Sequence, residues 1–237
     1  GTNIHRKELV NRYDAIRIGG VAPLQAAIEF GGRSVGRAGA TRYMLELYEP
    51  GDDRGSEFAW RWYYTINNQA PAGYELGDTL YLPIRDEAES QADRPSTRKW
   101  ENAVDPPNID ISYNDQIYLR LADTYLLLAE AQFKLAELGA AAETINILRR
   151  RASASEITAA DLDLDFILDE RARELYSEEH RRYVLVRNDK WLERTRLYNK
   201  MAGPNVTERD KLLPIPQFVI DANIGKIMNQ NPGYSAD

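Results

Sequence analysis

Residues able to do covalent chemistry are few in this chain of 237 residues. It has no cysteine, which removes disulfides, thiolate metal ligands and cysteine nucleophiles. Its two histidines, His5 and His180, are too few for most histidine-rich metal centres. Carboxylates are better represented. Glu170 and Glu174 stand one helical turn apart in Asp169-Glu170-Arg171-Ala172-Arg173-Glu174 and could in principle act as acid and base. Hydrolysis by paired carboxylates needs a second group facing the first across a gap, and nothing in the sequence places one. The interleaved arginines instead suit local pairing, Glu170 with Arg173 and Asp169 with Arg173. Gly31-Gly32-Arg33-Ser34-Val35-Gly36 lacks the Lys-Ser/Thr ending of a phosphate loop and joins no strand to a helix, so it reads as loop. These residues point to no enzyme, no metal and no cofactor.

Aromatic surface is what the chain does carry. Among its 14 Tyr and 4 Trp, Trp60, Trp62, Tyr63, Tyr64, Tyr74 and Tyr81 fall close together. Flat rings match the apolar C–H faces of ring-shaped ligands, whose edge hydroxyls then need a few polar partners. Phe58, Trp60, Trp62 and Tyr64 alternate with Ala59, Arg61 and Tyr63, the period of a strand. The four share one face, which fits a core as well as a ligand platform, and the core reading suits Trp60 best. Tyr74 differs, because it follows Pro71-Ala72-Gly73 in a turn, where a buried ring is less expected. Trp100, after Arg98-Lys99, fits a packing anchor equally well.

The remaining composition narrows the class. Hydrophobic residues at 43% and charged residues at 28% are ordinary for a soluble globular protein. No run approaches the eighteen or so apolar residues of a membrane span. A net charge of -7 argues against nucleic-acid binding, which needs a basic footprint. The single basic run, Arg149-Arg150-Arg151, falls where a helix is expected to end and opposes its dipole.

These residues must be positioned by two contrasting regions. Residues 1–112 hold most of the glycines and prolines, with Thr79-Leu80-Tyr81-Leu82 as a second strand and turns at Pro50-Gly51-Asp52-Asp53 and Asp105-Pro106-Pro107; this part reads as irregular α+β. Residues 113–237 read as helical and continuous with it. From Gln116 to Leu138 there is no Gly or Pro, and the helix is apolar nearly all round, as expected of one sandwiched between neighbours. Leu121, Tyr125, Leu128 and Ala129 are the expected buried positions, with Glu130 and Lys134 reaching solvent as an i,i+4 pair. Gly139 is placed to end it. A second helix over 140–152 makes an αα-hairpin of tetratricopeptide type, a third starts near Asp163–Asp165, and a fourth spans Arg181 to Lys200. Leu212-Leu213-Pro214-Ile215-Pro216 is extended, since each proline biases its predecessor away from helix. The expected fold is mainly α, a helical hairpin and further helices with a loop-rich region of a few short strands.

Three segments, in this order, resemble the SusD/RagB family. Leu119-Arg120-Leu121-Ala122-Asp123-Thr124-Tyr125-Leu126-Leu127-Leu128-Ala129-Glu130-Ala131 is similar to its "LRLAE-x-YL-x-x-AEA" helix, with Asp123 for the usual Glu. Glu170-Arg171 through Glu174-Leu175 and on to Arg187 resembles "ER-x-x-EL-x-x-EG-x-R-W-F-D-L-x-R", with Glu179, Arg182 and Val184 departing from the pattern. Leu213-Pro214-Ile215-Pro216 with Gln230-Asn231-Pro232-Gly233-Tyr234 resembles the closing "L-x-PIP … QNPGY". The resemblance is good over residues 97–234; Tyr48 to Arg54 and Arg98-Lys99-Trp100 are similar to weaker landmarks.

The resemblance implies a non-enzymatic, lipid-anchored protein of the outer-membrane surface of Bacteroidetes-type bacteria. It would capture oligosaccharide, or sometimes peptide, and pass it to a SusC-like TonB-dependent transporter. It touches the membrane only through a lipid anchor that lies outside this stretch of chain. The expected ligand contacts are Tyr74, Trp62 and Tyr64. The alternative reading is a helical-repeat scaffold that binds protein and has no small-molecule site; a glycosidase would need the facing carboxylates that the sequence does not show. The resemblance also implies a longer precursor with a signal peptide and a lipid-acceptor cysteine. Sequencing the native gene should show that reading frame, and a frame opening within a few residues of Thr2 would refute it.

Overall fold

The computed structural model describes residues 8–86, 92–101, 107 and 117–235. His5, the expected turn residues Asp105 and Pro106, the boundary expected at 112 and the helix start expected at Gln116 lie outside these. Two compact units are present, Gly1–Glu179 and His180–Asp237. The fold is mainly helical with a few short strands, as the sequence indicates.

In the first unit, α1 (Arg42–Glu46) leads to β1 (Trp60–Arg61), β2 (Tyr63–Thr65), β3 (Thr79–Tyr81) and β4 (Ser96–Thr97). The run from Phe58 to Tyr64 is not one strand. Trp60 pairs with Thr97 in one antiparallel sheet, while Tyr63, Tyr64 and Thr65 pair with Tyr81, Leu80 and Thr79 in another. Alternation still sorts Trp60 and Tyr64 inward, at 2% and 1% exposure, but Phe58 precedes the first pairing and is 81% exposed. Tyr64 and Leu80 join Tyr13, Leu24, Phe30 and Ile66 in a core of their own. The Tyr13 and Tyr64 rings stack at 4.7 Å, with Phe30 edge-on to Tyr64 at 5.1 Å.

The helical core lies between α2 (Leu121–Lys134), α3 (Leu138–Arg151) and α4 (Leu164–Leu175). It is built from Ala122, Leu126, Ala129, Ala141, Ile145, Leu148, Ile167 and Leu175. The buried stripe of α2 is therefore centred on its alanines. Leu121 and Leu128 are 66% and 47% exposed, Tyr125 is half-buried and Glu130 is 3% exposed, so of the expected set Ala129 alone is deeply buried. A helix apolar all round does not announce which face its neighbours take. Here small residues are part of the shared buried face, Ala122 and Ala129 from α2 and Ala141 and Ala142 from α3. Glu130 accepts from Lys134 at 2.7 Å, the expected pair, with the carboxylate inside and the ammonium half-exposed.

Gly139 does not end α2; it lies inside α3. Ala136 takes the left-handed turn instead, with φ 61°, while the Glu137 N–H donates to the Gln132 carbonyl and the Ala136 N–H to that of Phe133. Asp163 caps α4 by accepting from the Phe166 N–H at 2.6 Å.

In the second unit, the expected fourth helix is two, α5 (Arg181–Arg187) and α6 (Trp191–Tyr198). Asp189, with φ 54°, turns the chain between them, and the Lys190 N–H closes back on the Leu185 carbonyl at 2.8 Å. A short α7 (Gln217–Asp221) follows the extended Leu212–Pro216 segment. The Gln230 side chain grips Ile215 from both sides, accepting from its N–H at 2.7 Å and donating to its carbonyl at 2.8 Å. Asn231 donates to the Leu213 carbonyl at 2.7 Å, and the Tyr234 hydroxyl to that of Leu212 at 3.0 Å. Gly233 has φ 87°, and a Cβ there would fall 2.6 Å from the Arg209 side chain.

Leu126→Ala should cost about 2–5 kcal/mol, the range for a fully enclosed leucine. Leu128→Ala should cost about 0.5 kcal/mol, as a surface change does. Reversible urea denaturation distinguishes them, and equal costs would mean the buried face of α2 has been misassigned.

Candidate functional site

Glu170 pairs with Arg173 within the helix, as expected, and the acidic residues also build a network that crosses the first unit. Glu170, fully buried, accepts from Arg54 at 2.8 Å, Arg149 at 2.9 Å and Arg173 at 2.8 Å. Glu174, one turn on and 1% exposed at its side chain, accepts from Arg54 at 3.2 Å, Arg120 at 2.7 Å and Arg151 at 2.7 Å. Asp52 holds Arg54 through two bonds, Nε–Oδ1 at 2.9 Å and Nη2–Oδ2 at 2.8 Å. Arg149 also reaches Glu49 at 3.1 Å, and Glu178 receives Lys99 and Arg120. Arg149 and Arg151 thus serve as bridges from the last turn of α3, where their charge also opposes the helix dipole, as expected.

This geometry keeps both carboxylates charged. Burial pushes Glu170 up, but the charges of Arg54 and Arg173 outweigh it and hold the carboxyl below the usual value of 4.5. Glu174 is likewise raised by burial and lowered further by Arg120 and Arg151. Groups locked in the ionised form, with their oxygens occupied by guanidinium N–H, do not supply the raised pKa a general acid needs. The network forms one wall of a cavity of about 450 Å³ whose other walls include Trp60, Trp100, Tyr176 and the exposed Phe58. Trp100 is an anchor, 8% exposed, its indole N–H donating to the Ser177 hydroxyl at 2.8 Å.

The expected aromatic contacts do not converge. Tyr64 is core. Trp62 is half-buried against Trp60 at 6.0 Å, its indole N–H donating to the Gly55 carbonyl at 3.0 Å. Tyr74 is 38% exposed in the turn of the β2–β3 hairpin, where its N–H donates to the Pro71 carbonyl at 3.0 Å. Asn67 and Asn68, near it in sequence, are spent on the backbone of Gln25 and Ala22. The outer face of the hairpin instead presents Tyr63 and Tyr81, with ring centroids 5.7 Å apart, beside Thr65 and Thr79.

Residues 42–234 match the SusD family. The chain belongs to it. The starch-binding protein SusD of Bacteroides thetaiotaomicron is 35% identical over 144 residues, which take in 57% of this chain and 25% of that protein. Surface glycan-binding protein A from Bacteroides fluxus is similar in structure, with a TM-score of 0.54 and 25% identity over 81% of this chain and 40% of its own. A SusD superfamily protein from Bacteroides vulgatus has the same fold at 20% identity, with a TM-score of 0.56 over 82% of this chain and 44% of that one. The chain therefore spans less than half the length of these relatives.

Seen as SusD-family landmarks, the three motif segments are structural in this chain. Glu170, Arg171 and Glu174 are network members; Arg171 bonds Asp123 at 2.5 Å and Glu179 at 3.0 Å, two of the positions that depart from the family pattern. The closing Gln230–Tyr234 clasps Leu212–Ile215. The Asp52-Asp53-Arg54 turn carries no local sign that Arg54 joins both glutamates, because its partners lie 116 and 120 residues away. The outward Tyr63–Tyr81 pair was legible in part, since Tyr63 alternates away from the core face.

Glu170→Gln should cost about 3–5 kcal/mol, because it strands buried guanidinium groups. The proton of Glu170 binds more weakly in the folded than in the unfolded chain, so its contribution is complete above pH 4.5 and fades as pH falls through the lower folded value. Denaturation followed from about pH 7 to about pH 3 should show this acid loss in the parent and a shallower one in the variant. Parallel acid limbs would remove Glu170 as its source.

Proposed function

We propose that this chain is the glycan-capturing part of a cell-surface protein that binds oligosaccharide without cleaving it. Its place is the outer membrane, held there by a lipid anchor in the native protein, and its partner is a SusC-like TonB-dependent transporter. The observation that carries this reading is membership of the SusD family together with 35% identity to a starch-binding member. The geometry of the acidic residues supports capture over hydrolysis, because Glu170 and Glu174 are both committed to arginines. Of the expected contacts, Tyr74 is the one with a solvent-facing ring, and Trp62 offers a partial edge; Tyr64 supports the hairpin from inside.

Affinity should be modest, since an exposed sugar site buries little area. Calorimetric titration with soluble starch and a panel of other polysaccharides should show binding, and a reducing-end assay on the same mixtures should show no products. Tyr74→Ala should weaken binding several-fold while leaving the melting temperature unchanged, and Trp62→Ala should weaken it while also lowering the melting temperature, because its indole packs on Trp60 and bonds the Gly55 carbonyl. No heat with any glycan would sink the binding reading, and reducing ends lost on a Glu→Gln change would sink the non-enzymatic one.

A further inference from the structure

The outer face of the β2–β3 hairpin holds an arrangement that packing does not require. Tyr81 is 73% exposed, although its strand neighbour Leu80 is buried, so the ring stands clear of the core. It is fixed nonetheless. Tyr63 lies directly opposite it in the ladder and meets it edge to face, at 61° and 5.7 Å between centroids. Tyr63 is in turn held by its hydroxyl, which donates to Glu57 Oε2 at 2.7 Å. An exposed ring held by its neighbours loses little side-chain freedom when a ligand lands on it, which is the condition for useful stacking.

Tyr81 also borders a depression of about 480 Å³, which is in the size range of small-molecule sites. Its floor is apolar, from Ile16, Leu82 and Pro83, and its polar groups are Arg17, Arg85 and Asp93. Arg85 and Asp93 pair at 2.8 Å with side chains 37% and 29% exposed, so both still meet solvent. That pair sets a fork of N–H donors beside a carboxylate that accepts. Two adjacent hydroxyls on one ring engage it with two separate bonds, one accepting from the guanidinium and one donating to the carboxylate, whereas a lone hydroxyl must serve both.

We infer that Tyr81, backed by Tyr63, is a glycan subsite at which a pyranose ring stacks on the tyrosine and presents adjacent free hydroxyls to Arg85 and Asp93. This rests on the glycan-binding reading above and goes beyond it, since it adds a ring and a polar pair on a face that Tyr74 and Trp62 do not define. It also sets a preference. Starch and dextran carry adjacent free hydroxyls on their internal glucose units, whereas the internal units of laminarin do not.

Native electrophoresis of the whole chain through gels containing soluble starch, dextran or laminarin tests it. The parent should be retarded by starch or dextran more than by laminarin. Tyr81→Ala should weaken the apparent affinity about fivefold to tenfold, and Asp93→Asn should weaken it as well. Tyr81→Trp, which keeps a flat face, should retain it, and Phe218→Ala, an exposed ring in the second unit, should leave it unchanged. Retardation of Tyr81→Ala equal to the parent, or a parent retarded by laminarin alone, would overturn the subsite and leave the glycan-binding reading standing. A parent retarded by none of the three would remove that reading and the subsite together.

Discussion

A carboxylate with no exposed surface, Glu170, sits among three guanidinium groups, and most of the first unit is arranged around that fact. Removing such a charge from water costs several kcal/mol, and the loss is offset only when the pairing is complete. Completeness here demands chain from three places. Arg54 comes from the turn after α1, Arg149 from the end of α3, Arg173 from α4 itself, and Asp52 holds Arg54 in position. A slip of any one element would leave a buried ion unpartnered. The network therefore acts less as a source of net stability than as a lock on the relative placement of loop-rich and helical segments.

That lock accounts for the division of labour along the chain. The helices spend their small residues on the shared buried face, Ala129 with Ala141 and its neighbours, and their acidic residues on the arginines. The Asp53 N–H donates to the Ala152 carbonyl at 2.8 Å and the Tyr48 hydroxyl to that of Arg173 at 3.2 Å, so backbone follows side chains across the same seam. Trp60 completes it by lying against Tyr176 at 4.9 Å. The β2–β3 hairpin, rooted by Tyr64 in its own aromatic core, is then left with an outer face that no packing demand fixes. Its tyrosines are available for a ligand because its inner face is already satisfied.

Local pattern was a good guide wherever the deciding contact was local. The αα-hairpin, α4 with its Asp163 cap, the extended Leu212–Pro216 segment and the inward Trp60 all follow from period, capping and proline geometry. It failed where several faces or residues were equally eligible. Leu121 and Leu128 looked like core because α2 is apolar all round, and only α3 decides that the alanine side turns in. Ala136 and Asp189 accept left-handed turns that the sequence assigned to a glycine or to none, since tertiary contacts hold non-glycine residues there. Of the aromatic surface, the exposure of Tyr74 and the outward turn of Tyr63 were legible, while Tyr64 went to the core and the Arg85–Asp93 pair left no local signal.

The charged network ties the loop-rich segment to the helices within the compact unit of residues 1–179, so the two should open together. Native-state hydrogen exchange measures this most directly, by comparing opening free energies of amides in the 47–66 segment with those in α4. Values within about 1 kcal/mol of each other are expected in the parent protein, with a selective drop for the 47–66 amides in Arg54→Ala. A 47–66 segment that opens several kcal/mol below α4 in the parent, unchanged by Arg54→Ala, would contradict it.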